Sequence, residues 1–403
     1  MRVCGVRVCG VHTDVAIVGA GPAGARAAYV LARHGARVTL FDRSHPREKP
    51  CGGGVTGRAL ALVADTFDPA DCAASVIRSA RFIDSRRCQS AVVLLDDHGA
   101  RVATALLVAS RATFDAALLA AAERAGAVLD RSRVVNVTVD AGGARLETTN
   151  GRRRAGFVIG ADGANSLVRR RVETAFRRDQ LSIATGFFAH GVTSDEIVIE
   201  LTSDPPGYIW SFPRPDHLAV GICAQADAGV TAEALRSRIA AWITATGIAG
   251  GGRLDPYSWP IPSLSARDFA SLDLTGPRWG LVGDAAGLVD PITREGIYFA
   301  LASGQWIADA LIAGGSMSVY GSRVRDEAGS ELGRAARLKA GFFRPAFIGL
   351  MMRALQQSAG IRSVMADLVA GRQPYATLKW RLVKTFEVGL AWRALRSIRL
   401  KSL

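Results

Sequence analysis

A glycine turn near the N-terminus has the residue types and spacing of a phosphate-binding site. An apolar run, Val15–Val18, leads into the stretch Gly19-Ala20-Gly21-Pro22-Ala23-Gly24, which matches G-x-G-x-x-G. The first glycine of this pattern allows a sharp turn, the second leaves space for a pyrophosphate, and the third lets the next helix pack on the strand. Pro22 suits the first turn of that helix, whose free N–H groups would face the phosphates. The stretch predicts dinucleotide binding.

An acidic residue follows the second apolar strand at a fitting distance. Asp42 ends the run Arg37–Phe41 and lies 23 residues after Gly19, where about 20 is usual. Its carboxylate could accept a hydrogen bond from a ribose hydroxyl. The competing interpretation is a glycine-rich turn with no ligand. Because strand, turn, helix, strand and terminal acid all occur in order, we favour the dinucleotide site.

A second turn of this kind occurs late in the chain. Gly283 and Asp284 end the apolar run Trp279–Val282, and Gly296 and Ile297 open a helix predicted to reach Ile312. A carboxylate at the end of a buried strand can bind sugar hydroxyls, and the free N–H groups of a helix start can bind partial negative charge. The alternative is an aspartate that only caps a helix.

Two further stretches could contact the same ligand. Three consecutive glycines in Lys49–Val55 would let a loop lie flat on a planar ring, although a flexible connector has the same composition. Arg111 starts a helix predicted to end at Gly126. Its charge is unfavourable at a helix start, so we expect it to clamp a pyrophosphate rather than to be simply solvated.

The remaining patterns predict the elements that carry these residues. Alternating strands between Ser182 and Ala224 indicate an antiparallel sheet, followed by a helix over Glu233–Thr246. Asp255–Ser263 is rich in proline and aromatic residues, and we expect it to return the chain to the first domain. Further apolar runs predict strands over residues 91–95, 102–108, 134–139, 144–148 and 157–160, the last leading into a turn at Asp162.

Composition limits the cellular class of the protein. Hydrophobic residues make up 49% of the 403 residues, but no apolar run is long enough to cross a bilayer. The N-terminus lacks the apolar core of a signal peptide, and scattered cysteines suit reduced thiols, so we expect a cytoplasmic protein. Cys4 and Cys9 have the spacing of a metal pair, but no second pair follows, so no metal site is predicted.

The positive charge is concentrated at the C-terminus. From Arg334 to Leu403 there are fourteen Lys and Arg residues and two acids, so most of the formal net charge of +14 lies there. Lys379–Lys401 has apolar residues at intervals of three or four among its bases, typical of a helix on an anionic membrane surface. The alternative is a helix docked on the catalytic body. No nucleic-acid-binding motif accompanies the charge, so nucleic acid is not an expected partner.

The three turns together resemble FAD enzymes of the p-hydroxybenzoate hydroxylase type. Within that group, Pro50-Cys51-Gly52-Gly53-Gly54 resembles the geranylgeranyl reductase family. The stretch from Tyr208 to Arg214, followed by Gly221, is similar to that family's pattern Y-x-W-x-F-P-K-x6-G, with arginine in place of lysine. The likeness covers about residues 14–312. One departure is Arg294, where many members have glycine.

The resemblance implies the fold. We expect an α/β protein with a Rossmann-type FAD-binding domain, an inserted antiparallel-sheet substrate domain and a C-terminal helical tail, α+β overall. The FAD-binding domain would comprise residues 14–75, 100–175 and 276–315, and the substrate domain residues 76–99 and 176–275. Residues 1–13 would be a disordered leader and residues 316–403 a basic helical region.

The resemblance also implies the site. FAD would lie along the glycine turn with Asp42 on its ribose, Arg111 on its pyrophosphate and the backbone of Val135 at its adenine. Asp284 would hold the ribityl chain, and Gly296 and Ile297 the flavin O2 edge. The same cofactor site would include Arg43, Asp162, Gly283 and Pro291.

The substrate side would be apolar. Cys51 and Gly52 would border the flavin ring, with Gly53 beside the substrate. Tyr208, Trp210 and Phe212 alternate along a strand and therefore point to one face, where they would form a wall for a polyprenyl chain; each could instead be a core aromatic.

The implied reaction is reduction of an isolated C=C bond by hydride from reduced flavin plus a proton. Cys51 and Tyr208 are the candidate proton donors. Two other functions share this framework: an FAD-dependent monooxygenase or epoxidase, and an electron-carrying flavoprotein at the membrane. The chain has no second G-x-G-x-x-G unit, which leaves NADPH bound transiently, or an electron-donor protein such as ferredoxin, as the source of electrons.

Overall fold

The computed structural model describes residues 13–68, 72–95, 106–314 and 316–385. Nearly all of the predicted leader, and the tail from residue 386 onward, lie outside the described residues. The described chain is a mixed α/β structure in which helices cover two large sheets.

The strands match the predicted ones closely, because each apolar run between turn residues pairs with a neighbour. They are β1 Thr13–Val18, β2 Val38–Phe41, β3 Gly54–Val55, β4 Ala74–Ile77, β5 Ser79–Asp84, β6 Gln89–Leu94, β7 Leu106–Ala109, β8 Val128–Asp130, β9 Val134–Asp140, β10 Gly143–Thr148, β11 Gly151–Gly160, β12 Leu181–His190, β13 Glu196–Ser203, β14 Pro206–Pro213, β15 His217–Gln225, β16 Leu254–Pro262, β17 Thr275–Gly276 and β18 Trp279–Leu281.

The helices include the ones predicted after the first and last glycine turns and the helical region after Tyr320. They are α1 Pro22–Arg33, α2 Gly57–Ala61, α3 Arg111–Arg124, α4 Leu167–Val172, α5 Ala232–Thr246, α6 Ala266–Ala270, α7 Ile297–Ala313, α8 Ser318–Val324, α9 Ser330–Phe342, α10 Pro345–Gln357, α11 Ala359–Val369 and α12 Tyr375–Lys384. Short 3₁₀ turns cover Arg178–Gln180 and Gly283–Ala286, and a π-helical turn, Arg325–Gly329, joins α8 to α9.

The first sheet has the strand order β17-β18-β11-β1-β2-β8, and β9 and β10 extend it from β11. β1 is central and parallel to both β2 and β11, and its residues 15–18 are buried. β18 is parallel to β11. The carboxyl ends of these parallel strands therefore meet at one edge, which carries the glycine turn, Asp42, Asp162 and Asp284.

Small residues let the first helix lie close to its neighbours. A Cβ atom added to Gly24 would overlap the carbonyl oxygen of Gly19, and one added to Gly304 of α7 would overlap the carbonyl of Ala23. α1 is therefore wedged between β1 and α7. Its first turn is held at the strand ends, where its N–H groups face the cavity described below.

The second sheet has the order β16-β12-β15-β14-β13-β5-β6. Two predictions about it were incomplete. The β13–β5 pair is parallel, with Ile197 opposite Ala80, so the sheet is not wholly antiparallel. Asp255–Ser263 is not a linking segment, since most of it belongs to β16, which pairs with β12. β16 tolerates its prolines because it lies at the sheet edge, where an N–H group on the open side needs no partner.

Helices from the C-terminal region complete the second core. α10 and α11 pack on β5 and β6, burying Phe82 and Val93 against Met351 and Met352. α5 covers the opposite face of the sheet with Ile239 and the other apolar residues of that helix. A small third sheet has the strand order β3-β7-β4.

Candidate active site

One cavity of about 690 Å³ brings most of the predicted site residues together. Its lining includes Gly19, Gly21, Pro22, Ala23, Asp42, Arg43, Cys51, Gly52, Gly53, Arg111, Val135, Asp162, Tyr208, Trp210, Phe212, Asp284, Gly296 and Ile297. Three predicted residues do not line it: Gly24, Gly283 and Pro291. Gly24 packs on Gly19, Gly283 packs against Ala23 and Ala300, and Pro291 is buried. These three therefore shape the turns without facing the cavity.

The glycine turn leaves open space of the kind a pyrophosphate needs. Gly19 has a φ of +103°, a backbone conformation that residues other than glycine rarely adopt. α1 begins at Pro22, and no side chain of the described residues caps its N–H groups. A Cβ atom added to Gly21 would meet only one heavy atom within 4 Å, His45 Nε2 at 3.6 Å. The residues present thus fit the phosphate portion of FAD.

Asp42 is fixed by several donors from its own surroundings. Its Oδ2 accepts a hydrogen bond from Ala20 N at 3.0 Å and lies 2.7 Å from His45 Nδ1, while Oδ1 accepts from Ser44 N at 2.8 Å. Burial alone raises the pKa of Asp42, but these bonds and the charge of His45 outweigh burial and lower the pKa. Asp42 therefore holds the glycine turn in place as well as facing the cavity.

Asp162 uses its carboxylate in a similar way. It accepts hydrogen bonds from Leu167 N at 2.6 Å and from the hydroxyl of Ser166 at 2.5 Å, which fixes the start of α4. Burial raises its pKa despite these bonds. The predicted cofactor role of Asp162 is thus combined with a capping role at the same sheet edge.

Arg111 lines the cavity, but the two guanidinium nitrogens that could bind a pyrophosphate together are already bound to an aspartate. Its Nε and Nη2 donate to the two carboxylate oxygens of Asp115 at 2.8 and 2.7 Å. An aspartate four residues later lies on the same side of the helix, which the sequence analysis overlooked. Burial lowers the pKa of Arg111, but the charge of Asp115 outweighs burial and raises it. The predicted bidentate clamp on a pyrophosphate is therefore not formed by these two nitrogens.

The second turn faces the cavity through Asp284 and the start of α7. Asp284 Oδ2 lies 2.9 Å from Lys49 Nζ, a pair that joins the glycine-rich loop to the late turn. Gly296 precedes Ile297, the first residue of α7, and no side chain caps the helix start. The carboxylate and the free N–H groups are thus side by side, as a ribityl chain and a flavin edge would require.

Arg214 connects the glycine-rich loop to the aromatic strand. Its fully buried guanidinium donates from Nη2 to the carbonyl of Cys51 at 2.6 Å and forms an ion pair with Glu48 through Nη1. Glu48 also accepts from Arg111 N at 3.1 Å, at the start of α3. Burial raises the pKa of Glu48, but Arg214 and the other donors outweigh burial and lower it.

The three aromatic residues of β14 share one face of the strand and all line the cavity. Phe212 lies against Gly52, where an added Cβ atom would overlap its ring. Trp210 is only 5% exposed and packs with Tyr257 and Cys223. Trp210 therefore lines the cavity and is also a core residue.

The two candidate proton donors have different surroundings. The hydroxyl of Tyr208 donates to the carbonyl of Thr293 at 2.8 Å, and burial raises its pKa well above the ordinary value for tyrosine. Both facts disfavour Tyr208 as an acid. Cys51 is a partly exposed free thiol whose Sγ accepts a hydrogen bond from Gly53 N at 3.3 Å. Its S–H is therefore the better placed of the two donors.

An apolar section of the cavity adjoins the aromatic strand. It is lined by residues from β5, β7, β13, α9 and α11: Phe82, Leu106, Ile197, Ile199, Leu201, Phe342, Met365, Leu368 and Val369. We call this set the apolar arm. It carries no charged side chain, so an uncharged hydrocarbon chain could lie there without leaving a buried charge unpaired.

Arg294 has a left-handed backbone conformation, and two of its side-chain nitrogens have no hydrogen-bond partner among the described residues. Its φ is +61°, and its Nε and Nη2 have no hydrogen-bond partner among the described residues. Nη1 donates to Ser263 Oγ at 2.5 Å, and Lys339 Nζ donates to the same oxygen at 2.8 Å. Burial lowers the pKa of Lys339 to about 7, and the charge of Arg294 acts in the same direction. Arg294 and Lys339 thus both donate to Ser263 Oγ, and of the two only Arg294 lines the cavity.

Several of these residues were missed from the sequence. His45, Glu48 and Lys49 lie in the loop after Asp42, where one histidine and one acid in a basic segment were the available signals. Lys339 gave no signal, since it lies far along the chain in a basic region. Within the described ranges, no group of three or more His, Cys, Asp or Glu residues could hold a metal ion. The helices described there include none that is long and apolar enough to cross a membrane.

Comparisons with known proteins show which family the chain resembles. A family model described as an FAD binding domain matches residues 12–301. The digeranylgeranylglycerophospholipid reductase of Methanothrix thermoacetophila is 31% identical over 362 residues, which is 82% of this chain and 88% of that protein. The chloroplastic geranylgeranyl diphosphate reductase of Nicotiana tabacum is 30% identical over 347 residues, 80% of this chain and 70% of that one.

A solved structure agrees in fold. The geranylgeranyl bacteriochlorophyll reductase-like protein of Thermoplasma acidophilum superimposes with a TM-score of 0.76 at 23% identity, covering 93% of this chain and 99% of its own. The family model and the relatives establish the FAD cofactor and the oxidoreductase class, and the solved structure agrees with the Rossmann-type fold. On the strength of the domain match and these relatives, the chain belongs to the geranylgeranyl reductase family of FAD-dependent flavoproteins.

Proposed function

We propose that this protein reduces isolated C=C bonds in a geranylgeranyl or other polyprenyl chain. The observation that carries the proposal is the apolar arm, which opens from the same cavity as the FAD residues. Two relatives are named for reductases whose substrates carry geranylgeranyl groups, one a diphosphate and one a glycerophospholipid. Their common feature is the prenyl chain and not the polar head, and the apolar arm has the chemistry to hold that chain.

An isolated alkene has no carbonyl group that could stabilise negative charge. Bound FAD, once reduced, would supply a hydride to one alkene carbon. The protein must therefore orient the chain, exclude water and deliver a proton to the other carbon. The apolar arm and Phe212 would orient the chain and keep water out. We assign the proton to the thiol of Cys51, which lines the cavity in the glycine-rich loop against Phe212.

The remaining site residues would hold the cofactor. The glycine turn and the start of α1 would bind the pyrophosphate, Asp42 the ribose, Asp284 the ribityl chain, and the N–H groups of Gly296 and Ile297 the flavin edge. Electrons would come from NADPH or from an electron-donor protein such as ferredoxin.

We further propose that the protein lies on the inner, anionic surface of a membrane. α12 has no buried residue, and Trp380 is 67% and Val383 52% exposed. Lys379 and Lys384 are exposed on the same short helix. α12 packs against α11, whose Met365 and Leu368 line the apolar arm. A membrane under α12 would therefore lie near the section of the cavity proposed to take up the prenyl chain.

The test is a single-turnover reaction without oxygen. The FAD-loaded protein is reduced with dithionite, freed of excess reductant, and mixed with geranylgeranyl diphosphate as the probe. We expect oxidised-flavin absorbance to return in proportion to product, and mass spectrometry to find one added pair of hydrogen atoms per bond reduced. Flavin that stays reduced, with an unchanged prenyl chain, would contradict the proposal for this probe; the same assay with a geranylgeranylated phospholipid would then decide the class.

One further arm of the experiment distinguishes a monooxygenase. Isotope-labelled oxygen gas is admitted, and label that enters the product would show that the protein is a monooxygenase.

A variant tests the apolar arm. Ile199→Trp should fill the apolar arm and slow alkene reduction while leaving FAD bound, because Ile199 lines that arm. Leu254→Trp is the matched control, since Leu254 is an exposed residue at the start of the edge strand β16.

A further inference from the structure

His45 lies beside the glycine turn with only one of its ring nitrogens paired. Nδ1 is 2.7 Å from Asp42 Oδ2, and the residue is only 8% exposed. Nε2 has no hydrogen-bond partner among the described residues. Its nearest carboxylate oxygen, Asp115 Oδ2, is 3.4 Å away, which is long for such a bond. A buried ring nitrogen without a partner, in a residue that lines the cavity, suggests a ligand atom.

The free nitrogen faces the space left by Gly21. His45 Nε2 is the nearest heavy atom to a Cβ placed on Gly21, at 3.6 Å. In this kind of turn, the missing side chain at that position leaves room for the pyrophosphate. His45 therefore borders the pyrophosphate space from the side opposite the backbone of the turn.

A proton on the ring would balance the two carboxylates that contact it when an anion binds. Asp42 and Asp115 contact the two nitrogens, and Arg111 is bound to Asp115. Arg131 donates to the backbone carbonyl of His45 at 2.6 Å and is itself exposed. With a neutral ring, the two carboxylates and Arg111 leave one net negative charge beside an anionic pyrophosphate. With a protonated ring, that group of four is neutral.

The surroundings already favour the protonated ring. Burial lowers the pKa of His45, but its contacts with the negatively charged Asp115 and Asp42 outweigh burial and raise the pKa. A pyrophosphate beside Nε2 would add a third negative neighbour and raise the pKa further.

We propose that His45 binds the pyrophosphate of FAD as an imidazolium, donating from Nε2, and that FAD binding takes up a proton at this ring. The coupling concerns the cofactor only and does not depend on which alkene is reduced. As the pH rises past the point where the ring of the FAD-free protein loses its proton, FAD affinity should fall by at most tenfold per pH unit.

The test is calorimetry of FAD binding to the full-length, FAD-free protein. The titration is repeated in buffers of different ionisation enthalpy, so that the heat reports the number of protons exchanged. Between about pH 7 and about pH 9, we expect wild-type protein to take up as much as one proton per FAD. FAD that binds throughout this range without proton uptake would overturn the proposal.

Two variants separate this role from a structural one. His45→Gln keeps a neutral donor and should bind FAD about tenfold to a hundredfold more weakly at neutral pH, with no proton uptake. His190→Gln is the matched control, because His190 also pairs with an aspartate, Asp255 at 2.9 Å, far from the turn. Proton uptake that persists in His45→Gln would refute the assignment.

A measurement on the wild-type protein guards against a variant that fails to fold. With ¹⁵N-labelled histidine, Nε2 of one ring should shift toward its protonated value when FAD is added above neutral pH. If all six histidines keep their shifts while the flavin binds, the proposal fails regardless of the variants.

Discussion

Arg214 donates a 2.6 Å hydrogen bond to the carbonyl of Cys51 from a fully buried position. The bond joins the end of β14 to the glycine-rich loop, and the ion pair with Glu48 extends the connection to the start of α3. The Pro-Cys-Gly-Gly-Gly stretch and the aromatic strand, which are separate motifs in the sequence, are thus one unit in the fold.

Arg214→Met should destabilise the protein by about 1.5–3 kcal/mol, because it leaves the half-buried carboxylate of Glu48 without its cation. Arg214→Lys should cost less but still weaken FAD binding, since an ammonium cannot serve two acceptors with the fixed fork of a guanidinium. Urea unfolding and FAD titration measure both effects. Arg253→Met, which removes an exposed ion pair with Asp255, should change stability by less than about 0.5 kcal/mol. Equal stability of Arg214→Met and wild type would contradict the assigned role.

Asp284→Ala should weaken FAD binding by about tenfold to a hundredfold, the value of a hydrogen bond to a charged group. The fold should survive, although Lys49 loses its partner. Flavin fluorescence during titration of the FAD-free protein gives the affinity. Asp309→Ala removes an exposed pair with Arg323 and serves as the control. Unchanged FAD affinity in Asp284→Ala would show that this carboxylate does not touch the cofactor.

Trp210→Ala should lower the free energy of unfolding by about 3–5 kcal/mol, because it removes a buried aromatic from the core. The folded fraction should keep FAD, since Trp210 packs on Tyr257 and Cys223 and not on the glycine turn. Alkene reduction should fall because the cavity wall loses its largest ring. Thermal unfolding followed by flavin fluorescence and by circular dichroism tests this. FAD lost before unfolding would place Trp210 at the cofactor instead.

Lys339 should make stability depend on pH. Its pKa is about 7 when folded and near the ordinary 10.5 when unfolded. Between these values the unfolded chain binds a proton that the folded chain lacks, so the free energy of unfolding rises with pH, by up to about 1.4 kcal/mol per pH unit. Lys339→Met should remove this contribution, whereas Lys384→Met, at an exposed site, should keep it. The free energy of unfolding is measured in urea at several pH values for the FAD-loaded proteins. The prediction is wrong if it changes with pH by the same amount in wild type and in Lys339→Met.

The proposed membrane surface can be tested without truncating the chain. Removal of α12 would also remove Tyr375, whose hydroxyl donates to Asp290 at 2.8 Å, so substitution is the cleaner change. Wild-type protein should sediment with anionic vesicles and be released by salt, since each base near such a surface contributes about 1 kcal/mol. The double variant Trp380→Ser, Val383→Ser should stay in solution and keep its flavin.

A control for the same experiment is Val319→Ser, because Val319 is 60% exposed but lies on α8. Sedimentation of all three proteins alike, or of none, would show that Trp380 and Val383 of α12 do not mediate membrane binding.

The sequence by itself determined the local parts of this protein. The glycine turn, Asp42 and the late turn at Asp284 are specified by residues within a few positions of one another, and short-range backbone sterics decide them. The runs Val15–Val18 of β1 and Phe157–Ile159 of β11 are continuous and apolar because both faces of these central strands are buried. Two family motifs, Pro50–Gly54 and Tyr208–Gly221, were sufficient to identify the geranylgeranyl reductase family.

Only the tertiary structure decided how distant segments meet. β5 and β13 pair in parallel although more than a hundred residues separate them in the sequence. The sequence of neither strand specifies its partner, since any half-buried strand offers the same backbone groups. The guanidinium of Arg214 lies against the carbonyl of Cys51, and Nε2 of His45 lies beside the space at Gly21. Such contacts depend on the packing of whole elements, in which the burial of apolar surface outweighs the preference of any single polar side chain. Sequence therefore predicts the kind of site, and packing decides which charges face it.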